Sequence, residues 1–199
     1  MKMDVELRIQ LDKFEPRIYQ VPLWHAFENE GYRKLISCSA RRSGKDFSVF
    51  NLVIRQMLRR VGLYWYLFPT FSQGRRSLWE AKTFDGLPFL SFIPEELIEK
   101  KREQDMYLRL VNGSVLQIIG AESYDRLVGA NPLGCVFSEY AVSPDYPRAR
   151  QLILPMLRAN GGFEIYLSTP RGRNWFYELW NIAQSNKDDW YSERLSYRS

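Results

Sequence analysis

The segment SARRSGKD at residues 39–46 constrains this chain most, because it separates an apolar run from an amphipathic one. A phosphate-binding loop has the pattern G-x-x-x-x-G-K-[ST], and its final hydroxyl holds Mg²⁺. Gly44 and Lys45 match this pattern, whereas Ser39 replaces the first glycine and Asp46 replaces the hydroxyl residue. The segment therefore predicts a nucleotide site with an unusual metal ligand. A basic turn without a ligand is the alternative.

The runs on either side of this segment predict a strand and then a helix. Residues 34–40 are a short apolar run typical of a buried strand, and apolar residues recur at helical spacing over residues 47–58. A loop between a strand and a helix carries backbone N–H groups and the positive end of the helix dipole, where a phosphate binds. Lys45 would then reach the β- and γ-phosphates, and Arg41 and Arg42 add positive charge.

The rest of the chain alternates between strand and helix patterns, which predicts an α/β fold with a mostly parallel sheet flanked by helices. The Asn112-Gly113 turn predicts an antiparallel hairpin over residues 106–120, at an edge of the sheet. The further strands expected are residues 62–70, 133–141, 163–170 and, as a candidate, 190–199. The further helices expected are one that ends near Gly31, residues 72–83, a short one within 86–103, 146–162 and 172–186.

The composition restricts the class of protein. Hydrophobic residues make up 45% of the 199 residues and charged residues 26%, as in a soluble folded domain. No run approaches the roughly 20 apolar residues of a membrane span, and the N-terminus is too charged for a signal peptide. We therefore expect an intracellular protein without a membrane partner. Cys38 and Cys135 lie in apolar runs and are expected to be buried, reduced thiols. The net charge of +5 is compatible with a polyanionic partner but does not require one.

A second motif, CVFSEYA, ends a predicted strand with Ser138-Glu139. ATPases with a phosphate-binding loop usually carry Asp-Glu there, the Asp acting on Mg²⁺ and the Glu on the attacking water. The departures at Asp46 and Ser138 are therefore reciprocal. Mg²⁺ takes one or two carboxylates with phosphates and waters, so we hypothesise that the carboxylate and the hydroxyl have exchanged places at one metal site. A decayed site is the alternative.

Two further segments fit a nucleotide site. Ser168 and Thr169 follow a predicted strand at the ligand edge of an open α/β sheet, where polar residues can sense a γ-phosphate. An ordinary turn entered through Thr-Pro is the alternative. Upstream of the first strand, the amide of Gln20 could read N6 and N7 of adenine, and Tyr19 could stack on the base.

These segments occur in an order and spacing that have a known counterpart. Residues 16–20, 39–46, 124–141 and 168–174 together resemble the ATPase domain of the large terminase subunit of tailed bacteriophages. The resemblance implies a P-loop NTPase fold of the RecA-like type and an ATP-hydrolysing motor that drives double-stranded DNA into procapsids. It implies ATP and Mg²⁺ as cofactors. Its implied partners are DNA bound without sequence preference, further copies in a ring on the portal protein, and the small terminase subunit. The implied location is the host cytoplasm, transiently docked on a procapsid.

The resemblance also implies roles for single residues. Arg41 corresponds to an arginine thought to act on the γ-phosphate, Glu139 to the catalytic glutamate, and Ser168 and Thr169 to a motif that couples hydrolysis to movement. Arg126 lies where such motors can carry an arginine finger for the neighbouring subunit, and a surface ion pair is the alternative. The expected catalytic residues are Arg41, Lys45, Arg126 and Glu139. The expected nucleotide-binding residues are Tyr19, Gln20, Ser39, Ala40, Arg42, Ser43, Gly44, Lys45, Asp46, Ser168 and Thr169, and the expected metal ligands are Asp46 and Ser138.

The resemblance leaves domain organisation and DNA contacts as expectations. We expect one ATPase domain over residues 1–199, with residues 1–15 as an N-terminal segment and about 178–199 as a candidate start of a lid or linker. We expect no nuclease domain in this chain and hence no DNA cleavage by it. The candidate DNA-contacting side chains are Arg75, Arg76, Lys100, Lys101, Arg102, Arg171 and Arg173. A solvated face is the alternative for each, and the commoner role of such charged runs. A helicase-like translocase and a nucleotide-binding subunit without hydrolysis are the alternative functions.

Overall fold

A computed structural model of the chain describes residues 13–196, apart from the side chain of Arg126. Most of the predicted N-terminal segment 1–15, and residues 197–199 of the last candidate strand, therefore lie outside the described residues. The helices are α1 Val21–Glu28, α2 Lys45–Arg59, α3 Phe71–Gly74, α4 Tyr146–Ala159 and α5 Trp175–Ser185. The strands are β1 Lys34–Ser39, β2 Leu63–Phe68, β3 Ile98–Arg102, β4 Tyr107–Leu110, β5 Val115–Gly120, β6 Pro132–Ser138, β7 Phe163–Ser168 and β8 Tyr191–Leu195.

The described residues form one eight-stranded sheet in the order β3-β4-β5-β2-β6-β7-β1-β8. The six strands from β5 to β8 in this order pair in parallel. β3 and β4 pair antiparallel at one edge. The predicted α/β class and its edge hairpin, β4 to β5, are therefore confirmed.

Helices cover both faces of the sheet, which is why its central strands are almost continuously apolar. All six residues of β7 are buried. Along β2, successive side chains point to opposite faces. Tyr66 packs in one cluster with Phe50 of α2, and Trp65 packs in the other with Ile153 of α4. The apolar side chains on the two faces thus fix the positions of the strands whose ends build the candidate site.

The region after β2 departs most from the predictions. The helix expected over residues 72–83 is α3, begun by a hydrogen bond from the Gln73 amide to the Thr70 side chain, and it continues as a π-helical turn that ends at Trp79. The short helix expected within residues 86–103 is a pair of 3-10 turns followed by β3. β3 was not predicted because four of its five residues are exposed on an edge strand, so it has no apolar alternation to recognise.

The topology brings three chain segments together. β6, β7 and β1 are consecutive in the sheet and parallel, with Ser138 opposite Leu167 and Cys38 opposite Ser168. The carboxyl ends of these three strands therefore lie side by side, at the end of the sheet where ligands of open α/β sheets usually bind. The last candidate strand is present as β8. It pairs in parallel with β1 and is the edge strand of the sheet opposite β3.

Two other predictions concern the thiols and the membrane. Cys135 is buried as expected, but Cys38 is only half-buried because it faces a cavity beside the end of β1; both are free thiols. Burial raises the pKa of both thiols. Within residues 13–196, no helix has the length and apolar character that crossing a bilayer requires.

Candidate nucleotide site

The loop between β1 and α2 has the backbone conformation of an anion-binding turn. Arg42 has φ +60° and Gly44 has φ +72°, both in the left-handed region. Gly44 adopts this conformation without steric cost, whereas Arg42 does so only because the surrounding loop holds it. Gly44 is also the N-cap of α2, a helix of 15 residues. A loop with left-handed residues at the N-terminus of a long helix offers an anion backbone N–H groups and the positive end of the helix dipole.

Tyr19 and Gln20 support this loop from beneath. The Tyr19 hydroxyl donates to the Ser43 carbonyl at 3.0 Å, and the Gln20 amide nitrogen donates to the same carbonyl at 3.1 Å. The Gln20 amide oxygen accepts from the Arg17 N–H at 3.0 Å. A Cβ on Gly44 would stand 3.2 Å from the Gln20 amide nitrogen, so the glycine permits this close approach. The sequence predicted both residues beside the loop, and their contact with adenine stays a prediction.

Lys45 joins the loop to the end of β6. Its ammonium lies 2.7 Å from Oε1 of Glu139 and 3.7 Å from Oδ2 of Asp46, and its side chain is 10% exposed. Burial alone would lower the pKa of Lys45, but the two carboxylates outweigh burial and raise it. The lysine thus remains a cation at the point where the loop and the helix terminus meet.

The two reciprocal departures from the motif face each other. The Ser138 hydroxyl donates to Oδ1 of Asp46, which also accepts from the Tyr66 hydroxyl at 3.1 Å. Burial raises the pKa of Asp46, against the opposing effects of Lys45 and of the hydrogen bond from Ser138. The carboxylate and the hydroxyl, which are 92 positions apart in the sequence, therefore form one contact beside Lys45.

The oxygen atoms at this contact suit Mg²⁺. Asp46 offers a carboxylate, Ser138 a hydroxyl, and Glu139 a second carboxylate close by. Mg²⁺ prefers such hard oxygens and usually takes one or two carboxylates together with phosphates and waters. In residues 13–196, no group of three or more His, Cys, Asp and Glu side chains is placed to hold a metal ion. Asp46 and Ser138 offer oxygen donors of the kind that Mg²⁺ takes alongside phosphates and waters.

Glu139 lies at a strained point of the chain, immediately after β6. Its φ is +52°, which is uncommon for a residue with a side chain and is often found at functional sites. The Tyr140 N–H donates to the Leu167 carbonyl at 3.0 Å, and the Ala141 N–H donates to the Ser168 hydroxyl at 3.1 Å. The Thr169 hydroxyl is 3.5 Å from Oε2 of Glu139. The predicted coupling residues therefore contact the loop that holds the glutamate, while their coupling role stays a prediction.

Two adjoining cavities open beside the loop. One, of about 450 Å³, is lined by Arg41, Thr169, Arg171 and Arg194 among others. The second, of about 170 Å³, is lined by Tyr19, Arg41 and Arg42 among others. Ala40, Arg41, Leu195 and Ser196 line both cavities. Together they have the size of a small-molecule site, which is typically about 300–1,000 Å³.

Several of the side chains expected to contact DNA form ion pairs or hydrogen bonds within the protein. Arg75 pairs with Glu80 at 3.3 Å and donates to two backbone carbonyls. Lys101 pairs with Glu103 and Arg102 with Asp105. The other candidates are exposed, namely Arg76, Lys100, Arg171 and Arg173. Among these, Arg171 also lines the larger cavity. Arg126 belongs to the 3-10 segment Ala121–Leu127, and its side chain lies outside the described part of the chain, so both interpretations of it stay open.

Sequence reasoning missed three residues of the site region. Tyr66 was assigned only to a buried strand, and its hydroxyl contacts Asp46. Leu195 and Glu193 of β8 lie close to the loop, although they are about 150 residues away in the sequence. Strand alternation could have placed Tyr66 on the face of β2 that meets α2. The positions of Leu195 and Glu193 depend on the pairing of β8 with β1, which leaves no pattern in the sequence.

Comparisons with known proteins show similarity to phage terminases. No protein-family model matches the chain. The large terminase subunit of Escherichia phage T5 is 27% identical over 183 residues, which is 90% of this chain and 40% of that protein. The predicted resemblance to phage large terminases is confirmed. This terminase-like chain therefore spans about 40% of the length of the curated relative that it matches.

Solved terminase structures share the fold. The ATPase domain of the Thermus phage P74-26 large terminase superposes with a TM-score of 0.72 at 21% identity, over 94% of this chain and 83% of that one. The large terminase of the thermophilic phage D6E in complex with ATP-γ-S superposes with a TM-score of 0.66 at 13% identity, over 88% of this chain and 43% of that one. The terminase-like chain therefore has the P-loop fold of these ATPase domains, as the sequence predicted.

Proposed function

We propose that this chain is the ATP-hydrolysing domain of a phage terminase motor, which translocates double-stranded DNA into a procapsid. The observation that carries the proposal is the convergence of Lys45, Asp46, Ser138 and Glu139 beneath a phosphate-binding loop, within a fold shared with terminase ATPase domains. A bound nucleotide in the D6E terminase supports a nucleotide site in this fold.

The loop and Lys45 bind the phosphates. Backbone N–H groups of residues 40–44 and the N-terminus of α2 hold the β-phosphate, and Lys45 reaches the β- and γ-phosphates. The Lys45 ammonium lies 2.7 Å from Oε1 of Glu139. Binding of ATP turns the ammonium from the carboxylate toward the phosphates, which leaves Glu139 free to accept a proton. Nucleotide binding thus prepares the catalytic carboxylate.

Asp46 and Ser138 hold the Mg²⁺ that accompanies ATP. An Mg²⁺ ion held by these residues would supply positive charge that offsets the charge developing on the phosphates. Asp46 supplies the carboxylate, and Ser138 fixes its orientation through the hydrogen bond to Oδ1. The exchange of the two residue types therefore conserves the charge of the site.

Glu139 orients and polarises the attacking water. Through its contact with Thr169, hydrolysis of the γ-phosphate changes the position of the residues at the end of β7. Arg41, exposed at the mouth of both cavities, acts on the γ-phosphate. Arg126 is proposed to act on the site of a neighbouring copy in a ring. Such a finger contributes about 10³-fold or more to the rate in other P-loop enzymes, so we expect the isolated chain to hydrolyse ATP slowly.

The remaining proposals concern partners. A packaging motor grips the DNA backbone without reading sequence, so we expect exposed arginines such as Arg76, Arg171 and Arg173 to contact phosphates. We further propose a ring of copies on the portal protein, cooperation with the small terminase subunit, and action in the host cytoplasm at the procapsid.

The test is ATP hydrolysis by the chain at high protein concentration, with Mg²⁺ or EDTA and with or without double-stranded DNA. We expect ATP turnover that requires Mg²⁺ and whose rate per molecule increases with protein concentration. We expect no separation of the DNA strands. Strand separation would favour a helicase-like translocase instead. ATP binding without turnover, even with portal protein and DNA present, would identify a nucleotide-binding subunit that does not hydrolyse.

A further inference from the structure

A partly buried carboxyl group on the edge strand β8 lies beneath the phosphate loop. Glu193 is paired with Ser37 of β1 in the sheet register, and its Oε1 accepts a hydrogen bond from the Ser37 hydroxyl at 2.8 Å. Its Oε2 accepts from the Tyr191 hydroxyl at 3.0 Å. The Ser37 hydroxyl is 2.6 Å from that of Ser39, the last residue of β1, which is fully buried. A chain of hydroxyl groups thus runs from Glu193 to the start of the loop.

The charge of Glu193 fixes the direction of this chain. An ionised carboxylate only accepts hydrogen bonds, whereas each serine hydroxyl has a single proton to donate. Because Ser37 gives its proton to Glu193, Ser39 must donate to Ser37. A protonated Glu193 has an O–H of its own and permits the opposite order. The protonation state of Glu193 therefore decides whether the Ser39 hydroxyl donates to Ser37 or can donate to another group.

The loop reaches the same place through Ser43. The hydroxyl of Ser43 is buried, and no atom of the described residues hydrogen-bonds it. It faces a crevice of about 10 Å³ that is also lined by Ser37, Ser39, Lys45 and Glu193. This is about the space that one water molecule needs, and the crevice offers the polar partners that a buried water requires. One water there would connect Ser43 with the serine hydroxyls.

We propose that Glu193 is a positioning residue of the phosphate loop, which it holds through the Ser37–Ser39 hydroxyl chain and a water bridged to Ser43. The edge strand β8 is thereby tied to the order of the loop, in addition to the backbone bond from the Ala40 N–H to the Leu195 carbonyl. The consequence for nucleotide binding rests on the proposed function; the ordering of the loop does not.

The raised pKa of Glu193 supports the proposal that the charge of this carboxyl group positions the phosphate loop. Burial raises its pKa, against the hydrogen bonds from Ser37 and Tyr191. The other titratable groups around it are Tyr191 on β8 and Lys45 on α2, and the pKa of each is raised from an already alkaline value. Neither therefore titrates in the range just above the ordinary carboxyl pKa, where burial shifts the titration of Glu193.

The test is hydrogen exchange of the amides of residues 40–44 in the chain without nucleotide. We expect Glu193→Ala to speed this exchange by about tenfold, since it removes a charged hydrogen-bond acceptor beneath the loop. The control is Glu99→Gln, a partly exposed carboxylate on β3 at the opposite edge of the sheet, which we expect to leave the exchange unchanged. If Glu193→Ala does not fold, Ser37→Ala interrupts the same chain and should have the same effect.

A pH series separates positioning from simple packing. Because the folded state holds the Glu193 proton more tightly than the unfolded state, the wild type loses thermal stability as the pH rises from the ordinary carboxyl range through the raised pKa. Glu193→Gln keeps the shape of the side chain but cannot ionise, so the difference in Tm between wild type and this variant should change across that range. An unchanged difference in Tm, or unchanged loop exchange in Glu193→Ala and Ser37→Ala, would overturn the proposal.

Binding of ADP distinguishes this proposal from the proposed function. We expect wild type to bind ADP with Mg²⁺ and Glu193→Ala to bind it about tenfold more weakly. If the wild type binds no ADP, the proposed function fails, and the exchange data still test Glu193. If the wild type binds ADP and Glu193→Ala binds it equally well with an unaltered loop, only the role of Glu193 is refuted.

Discussion

Replacing Glu139 with Gln is expected to lower the rate of ATP hydrolysis by about 10²–10⁴-fold, the usual contribution of a general base. The amide keeps the shape of the side chain but cannot accept the proton of the attacking water. ATP binding should persist, because the phosphates are held by the loop and by Lys45. It should even become slightly tighter, since Lys45 no longer has to leave a carboxylate 2.7 Å away.

The measurement is steady-state hydrolysis with parallel titration of ATP binding. Glu178→Gln is the matched control because this carboxylate is exposed on α5, and it should hydrolyse ATP as the wild type does. Equal rates for wild type and Glu139→Gln would contradict the role of Glu139. Loss of binding in Glu139→Gln would show instead that the residue supports the loop.

Replacing Lys45 with Ala is expected to weaken the binding of ATP by about 10–100-fold. A hydrogen bond to a charged group contributes about 1.5–3 kcal/mol, and each 1.4 kcal/mol corresponds to tenfold in affinity. The substitution also leaves Asp46 and Glu139 as neighbouring carboxylates without the ammonium between them. Their negative charge, no longer offset by the ammonium, should further disfavour an approaching phosphate.

Calorimetry or a fluorescent ATP analogue measures this change. Lys100→Ala on the exposed strand β3 is the control, and we expect it to bind ATP with the wild-type affinity. Similar losses in the two variants would indicate a general effect of net charge rather than a site. Unchanged affinity in Lys45→Ala would place the phosphates away from this loop.

Local patterns in the sequence predicted the strands that are apolar over their whole length and the helices whose apolar residues recur at helical spacing. β2, β6 and β7 are buried on both faces, so their runs of apolar residues were easy to recognise. The sequence assigned Lys45 and Glu139 separately to one nucleotide site, and their ion pair of 2.7 Å is a contact that only the structure gives. Asp46 and Ser138 were expected to face one metal ion; the structure places them in hydrogen-bond contact, and their binding of Mg²⁺ stays a prediction.

Features that depend on how the chain folds, rather than on a local pattern, could not be predicted. β3 is charged and exposed, and only its partner β4 makes it a strand. Cys38 follows the apolar pattern of β1 but lies where the strand opens onto a cavity. The ion pairs of Lys101 and Arg102 involve Glu103 and Asp105 at the turn between β3 and β4, so their charge looked available in the sequence although it is partly neutralised in the fold.

The exchange of ligand types between Asp46 and Ser138 is the central claim, and the Mg²⁺ dependence of ATP hydrolysis tests it most directly. The forms to compare are wild type, Asp46→Ala, Ser138→Ala and the reversed pair Asp46→Thr with Ser138→Asp. We expect Asp46→Ala to abolish turnover, Ser138→Ala to raise the Mg²⁺ concentration required, and the reversed pair to retain measurable activity because the site again holds one carboxylate and one hydroxyl. Wild-type turnover by Asp46→Ala at limiting Mg²⁺ would contradict the claim.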